Sequence, residues 1–396
     1  MRIAERMKRL GTETAFEVLA KARKLEAQGK DIVHLEIGEP DFDTPRNICA
    51  AAKKAIDDGW THYGPSAGLP DVRAAIAEYI RRSRGVKAEA EEIVITPGGK
   101  PVMFYLILAL VDEGDEVIYP NPGFPIYESM INFVGGKPVP IQIREENDFN
   151  FDIAELEKLL TPKTKLLIIN SPANPTGGVL KADEIERIAK ILSRFPDVAV
   201  LSDEIYSEIL YEGKHHSIAA LPGMKDRTVI LDGFSKTFAM TGWRAGYGVC
   251  PKWLVPHVAR LMTNSNSCTA SFTQRACMEA ISGPMDEVKR MVAEFKKRRD
   301  VIVKGLNEIP GFSCKTPKGA FYVFPNVKNT GISSQELSDY LLNEAGVACL
   351  SGTCFGAFGE GYLRFSYANS VENLRKALER VKKASSKWTH RTVHTA

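Results

Sequence analysis

Lys236 stands in GFSKTFAMTGWRAGY, residues 233–247, directly after Ser235 and eight positions before Arg244, with glycines at 233, 242 and 246. The apolar run TVILD, residues 228–232, leads into it. A lysine at the mouth of a sheet, beside a hydroxyl and an arginine, suits an amine nucleophile next to a bound phosphate. Lysine is the side chain that forms imines with carbonyl groups. A phosphate-bearing aldehyde would use all three residues, and pyridoxal phosphate is such a cofactor. An isolated loop lysine is usually a solvated surface group; the apolar run before Lys236 and the Gly-Trp-Arg segment after it favour function.

The remaining requirements of that chemistry each find a residue. Asp203 ends VAVLSD and could keep a ring nitrogen protonated, so that the ring drains charge from a substrate carbanion. It could equally cap a helical turn after the strand. Tyr206, in DEIY, could donate to a phenolic oxygen, although alone it reads as core. Asn174 lies in SPANPTGG, whose two prolines and two glycines force a restricted loop after a strand. There a ligand-facing amide competes with a plain turn. Gly99 and Lys100 belong to PGGK, residues 97–100, ahead of the apolar stretch PVMFYLILALV. Glycines before a helix amino terminus expose N–H groups that can cradle a phosphate. Ser235 and Arg244 add a hydroxyl and a bidentate cation. The spacing fits neither a Walker loop nor GxGxxG, so a nucleotide is not indicated. Phe124, in NPGFPIY, could stack on a ring or pack in the core. Arg364 interrupts GYLRFSYA with Leu363 and Phe365 on the opposite face, which suits a buried fork that grips a carboxylate.

These residues need a scaffold. Between about 91 and 250, the runs EEIVIT, DEVIYP, TKLLIIN, VAVLSD, TVILD and GYGVC alternate with amphipathic stretches. Near-continuous apolar strands of this kind belong to a mostly parallel sheet covered by helices on both faces, an α/β arrangement. Such sheets bind ligands outside the carboxyl ends of their strands, where all of these motifs fall. Beyond about 290, GAFYVFP and GYLRFSYA suggest a smaller sheet, with helices starting after Ser333 and after Asn369. The tail from 386 to 396 lacks periodicity and is expected to be mobile. The chain's 396 residues imply two domains.

Composition narrows the partners. Hydrophobic residues make up 44% and charged ones 26%, and the net charge of +3 is dispersed, so neither nucleic acid nor a basic stripe is indicated. The longest apolar run has ten residues, too short for a membrane span. Seven scattered cysteines without a CxxC pair point to a reducing cytoplasm. The histidines lack metal-site spacing, so no metal is expected.

Taken in order, LEIGEPDFDTP, YGPSAGLPDVR, TPGGK, NPGF, NSPANPTGG, SDEIY, GFSKTFAMTGWRAGY, GAFYVFP and YLRFSYA resemble the class I/II aminotransferases of fold-type I, in particular the bacterial-type aspartate aminotransferase subgroup. The resemblance spans nearly the whole chain. It implies a large domain of residues 50–290 with a seven-stranded, mostly parallel sheet, and a small α+β domain from residues 1–49 and 291–385. It also implies pyridoxal 5'-phosphate, amino transfer between an L-amino acid and a 2-oxo acid such as 2-oxoglutarate, and aspartate-like, aromatic or broad donors. By the same resemblance, Lys236 forms the imine and shuttles a proton. Asp203, Tyr206 and Asn174 contact the ring, and Gly38 lies beside Arg364 at the substrate carboxylate. Tyr63 reaches the phosphate of a neighbouring subunit, which implies a homodimer with shared sites. Phe124 stands where the family's dedicated aspartate enzymes usually have tryptophan, and MTNSNSCTASF, residues 262–272, lacks the arginine some members place there. Lys100 is at the position the bacterial subgroup uses for a distal carboxylate. Two other readings share the scaffold: a β-eliminating lyase and a non-catalytic sensor. The sensor would carry an added DNA-binding segment, for which the roughly 34 residues before LEIGEP leave little room.

Overall fold

The computed structural model describes residues 2–386 and Trp388. Thirteen strands among these residues fall into three sheets. The first, β1 (Val33–His34), pairs with a later segment. The large sheet contains β2 (Ile93–Thr96), β3 (Glu116–Asn121), β4 (Lys137–Arg144), β5 (Asn150–Phe151), β6 (Thr164–Asn170), β7 (Ala199–Asp203), β8 (Thr228–Gly233) and β9 (Gly246–Val249). Their order across the sheet is β2-β9-β8-β7-β6-β3-β4-β5. The pairings among β3, β4, β6, β7 and β8 are parallel, whereas β9 runs antiparallel to both β8 and β2.

All six apolar runs form strands, and both faces of the sheet are covered. Along β6, Leu166 and Ile168 pack with residues of the helix Lys100–Leu110, whereas Leu167 and Ile169 pack with Ile185 and Ile188 of the helix Ala182–Leu192. The period-2 alternation of strand side chains thus supplies two apolar faces from one continuous run.

The seventh strand, β4, has no apolar run to announce it. Pro138 and Pro140 interrupt it, most of its residues are half-exposed, and only β3 flanks most of its length. Prolines are tolerated there because alternate N–H groups of an edge strand face away from the neighbour. Beyond it lies β5, a two-residue antiparallel addition to the seven-strand core.

A three-stranded sheet, β10 (Tyr322–Val323), β13 (Leu363–Ser366) and β12 (Leu350–Ser351), has β13 at its centre and is antiparallel throughout. β1 pairs in parallel with β11 (Val347–Ala348), so the amino-terminal segment is fastened beside this smaller sheet. The helix Ser334–Asn343 begins as its capping signal indicated, with the Ser333 hydroxyl accepting from the Glu336 N–H. The last helix, Val371–Ala384, starts one residue later than expected. Its cap is Ser370, which accepts from Asn373 N–H at 3.1 Å, because the Asn369 amide is engaged with the His34 carbonyl. The mobile tail expected from residue 386 needs correction at one point. Trp388 is buried, stacked on Phe312, because its large apolar ring completes the core of the smaller sheet. Residues 387 and 389–396 lie outside the described residues.

His34 fastens β1 at two points, through Nδ1 to buried Glu36 at 2.8 Å and through Nε2 to Glu26 at 3.0 Å. Glu26 ends the helix Thr14–Glu26. The hydrogen bond to Glu36 raises the His34 pKa from 6.5 to about 9, against partial burial. A raised folded-state pKa stabilises fully below the unfolded value, and the contribution disappears as pH climbs through the folded value. Wild type should therefore exceed His34→Gln in urea-unfolding free energy near pH 6, with the gap shrinking between about 6.5 and 9. A gap that stays constant with pH would show that the imidazolium is not the source.

Candidate active site

Parallel register brings the chemistry together. Asn170 of β6 is opposite Asp203 of β7, and Asp203 is opposite Leu231 of β8. On the other side, Gly233 and Thr96 both pair with Gly246. The loops after β2, β3, β6, β7 and β8 therefore leave the sheet along one rim. They open onto a cavity of about 540 Å³ lined by Gly38, Gly99, Lys100, Phe124, Asn174, Asp203, Tyr206, Ser235, Lys236, Arg244 and Arg364. Every residue singled out in the sequence lies there except Tyr63, which is 89% exposed and does not line its own chain's cavity.

The Lys236 ammonium donates to the Gly38 carbonyl and lies 5.8 Å from the Phe321 ring centroid. Burial lowers its pKa from 10.5 to about 8, so a free amine is accessible near neutral pH. Asp203 moves the other way. Burial raises its pKa to about 6, opposed by a 2.6 Å hydrogen bond from Tyr127 Oη. A carboxylate held in this way gains from a cationic N–H arriving beside it. Tyr206 Oη and Tyr322 Oη are hydrogen-bonded at 2.7 Å, and burial pushes both phenols upward.

At the end of β2 the chain turns sharply. Gly98 adopts φ +97°, and the Thr96 hydroxyl donates to its carbonyl at 2.6 Å. The helix Lys100–Leu110 comes next, and Gly99 and Lys100 at its amino-terminal end line the cavity, while Pro101 has no N–H and the Val102 N–H is taken by the Gly99 carbonyl at 3.0 Å. Gly246 runs so close beneath this turn that a Cβ there would lie 2.5 Å from Gly98 C and Gly99 N. Backbone packed this tightly, with Ser235 and Arg244 alongside, is a cradle that fits a phosphate.

The opposite wall comes from the smaller sheet. Arg364, 4% exposed in the middle of β13, donates through Nη1 to Asn174 Oδ1 at 3.1 Å and through Nη2 to the Glu36 carbonyl. Its ring neighbours are Tyr322 and Phe355, and its buried Nε has no hydrogen-bond partner among the described residues. A buried guanidinium with a spare donor suits a carboxylate ligand. Gly38 fits here because any Cβ would land on the Tyr322 hydroxyl. At the mouth, Lys100 pairs with Glu13 and lies 5.4 Å from the Phe124 ring centroid. Phe124 in turn packs edge-on against Tyr127.

Sequence reasoning missed Tyr127, Asn170, Tyr322 and Glu13, all of which line the cavity. The first three had a signal. Tyr127 is three positions beyond Phe124, Asn170 ends a recognised strand, and Tyr322 sits in GAFYVFP. Glu13 had none, because only the tertiary fold carries the start of the first long helix across to Lys100.

The aminotransferase class I and II family matches residues 30–381. This chain belongs to that family. An aspartate aminotransferase of Pyrococcus abyssi is 44% identical to it over 358 residues, covering 89% of this chain and 92% of that protein. Aromatic-amino-acid aminotransferase 2 of Thermococcus litoralis is 43% identical, covering 90% and 92%. Among solved structures, the Thermus thermophilus aspartate aminotransferase with maleate superposes with a TM-score of 0.93 at 38% identity, covering 97% and 100%. The protein is a pyridoxal-phosphate-dependent transaminase of the fold-type I architecture. Its own residues fit that cofactor: an amine of lowered pKa, a buried carboxylate that lacks a cation, and a glycine-built phosphate cradle.

Proposed function

We propose that this aminotransferase takes both acidic and aromatic L-amino acids as donors, with 2-oxoglutarate as an acceptor. The observation that carries this reading is the mouth of the cavity, where Lys100 lies between the Glu13 carboxylate and the Phe124 ring. A substrate's distal carboxylate can replace Glu13 as the partner of Lys100, while an aromatic side chain can rest against Phe124, Phe16 and Met103. Relatives named for aspartate and for aromatic amino acids agree with such a range.

In this reading Lys236 holds the cofactor and carries the proton of the substrate's α-carbon. The bound cofactor supplies the electron sink for that carbon. Asp203 and Tyr127 keep the base of the cavity polar at the ring nitrogen, and Tyr206 and Asn174 donate at the ring oxygen. The Gly98–Lys100 turn, Ser235 and Arg244 hold the phosphate. Arg364, Asn174 and the Gly38 backbone orient the substrate's α-carboxylate, which fixes the face presented to Lys236.

Three coarser inferences accompany it. The chain divides into a large domain of residues 50–290 and a small one from 1–49 and 291–385, supported by the pairing of β1 with β11. The protein works as a homodimer in which Tyr63 reaches the neighbour's phosphate, supported by its exposure together with that of nearby Ile56 and Trp60. A cytoplasmic location agrees with seven unpaired cysteines.

Lys100→Gln should lower kcat/KM for aspartate by roughly tenfold to a hundredfold, the range for losing a charged hydrogen bond, while phenylalanine changes little. Equal loss on both would remove Lys100 from acid recognition. Run with cysteine conjugates, the same assays should show transfer that depends on a keto acid; pyruvate and ammonia release without transfer would favour the lyase. Sedimentation equilibrium should give a dimer, and Tyr63→Phe should weaken cofactor retention. A monomer that binds cofactor fully would contradict the shared site.

A further inference from the structure

Directly beneath the rim, outside the cavity, lies a second charged cluster. Arg84 ends the helix Pro70–Arg84, and its side chain is 1% exposed. Its Nε donates to Glu204 Oε2 at 2.9 Å, and its Nη2 donates to Asp232 and to the Ser207 hydroxyl. Glu204 also accepts from Ser202 at 2.9 Å and Ser217 at 2.6 Å, with His215 Nε2 2.9 Å away. Asp232 also accepts from Tyr247 at 2.9 Å and from its neighbour's N–H at 2.7 Å.

The placement of the two acids matters. Glu204 is the residue after Asp203 at the end of β7, and Asp232 lies in β8, four residues before Lys236. The β7–β8 ladder reaches Asp203 opposite Leu231, the Glu204 N–H donates to the Leu231 carbonyl at 2.8 Å just beyond it, and the Arg84 guanidinium adds a side-chain tie between the two segments. Buried ion pairs contribute little net stability, but losing one partner strands the other's charge.

We propose that Arg84 is a positioning residue of the active site: it clamps Glu204 to Asp232 from below, fixes the strand ends that carry Asp203 and Lys236, and offsets the negative charge under them. This rests on Lys236 and Asp203 being the residues that meet the cofactor. The electrostatics run in the same direction. After burial and the opposing hydrogen bonds, Asp232 and Glu204 are the charges that push Asp203 upward. Arg84 acts on these two acids rather than on Asp203 itself, lowering Asp232 against its burial. His215 and Arg84 hold Glu204 itself down at about 2 despite its burial. The amine of Lys236 also faces Glu13, Glu39, Lys100 and Arg364, and none of these belongs to the clamp.

The test titrates the visible absorbance of the cofactor-loaded protein against pH in Arg84→Gln and Glu204→Gln. Removing a positive charge should raise the midpoint and removing a negative one should lower it, each by roughly half a pH unit or more. Arg84→Gln should also lose about tenfold in kcat with less than about threefold change in the amino-acid KM, and Arg84→Lys should restore the midpoint. Midpoints that move in the same direction, or not at all, would overturn the proposal. Should Arg84→Gln fail to fold, the midpoint must still fall in Glu204→Gln and hold in Arg84→Lys; any other result counts against the clamp. Visible absorbance that survives Lys236→Ala would instead sink the underlying assignment of Lys236.

Discussion

The parallel register of β6, β7 and β8 fixes the level at which the cofactor-facing groups of these strands leave the sheet. Asn170, Asp203 and Leu231 lie side by side at the strand ends, so the amide, the carboxylate and the approach to Lys236 leave the sheet at one level. A slip of one residue would turn Asp203 to the opposite face. The two apolar faces of these strands prevent such a slip, because each is committed to a different helix layer. Core packing and site geometry are therefore one constraint.

Burial then does opposite things to two groups a short distance apart. It brings the Lys236 amine down to about 8 and pushes the Asp203 carboxyl up to about 6, in both cases disfavouring charge. Each group gains from a cofactor that supplies what it lacks: a carbonyl for the amine and a cationic N–H for the acid. Arg364 completes this logic from the smaller sheet, since its buried Nε waits for an anion while its other nitrogens are anchored to Asn174 and Glu36. The cavity's affinity for an amino acid thus depends on both sheets being present together.

Much of this could be read in the sequence. Buried strands with both faces covered are continuous apolar runs, so six of the eight large-sheet strands were visible, and the polar residues just beyond them marked the rim. Strand β4 was hidden because its prolines and half-exposed residues belong to an edge. Ser370 displaced Asn369 as a helix cap because the Asn369 amide bonds to His34, a partner 335 positions away. Glu13 and Arg84 were hidden for the same reason. Their roles arise from contacts with residues 87 and 120–148 positions away, and charges in helices ordinarily face water. Local pattern showed what each strand end carries, while long-range contacts decided which charges sit beneath and across from it.

The most direct measurement is to reduce the cofactor-loaded protein with borohydride, digest it, and map the modified lysine by mass spectrometry. The expected result is a single pyridoxyl adduct on Lys236, in the peptide that contains Ser235. An adduct on Lys100 or any other lysine, or none on Lys236, would contradict the assignment on which the reading of the site rests.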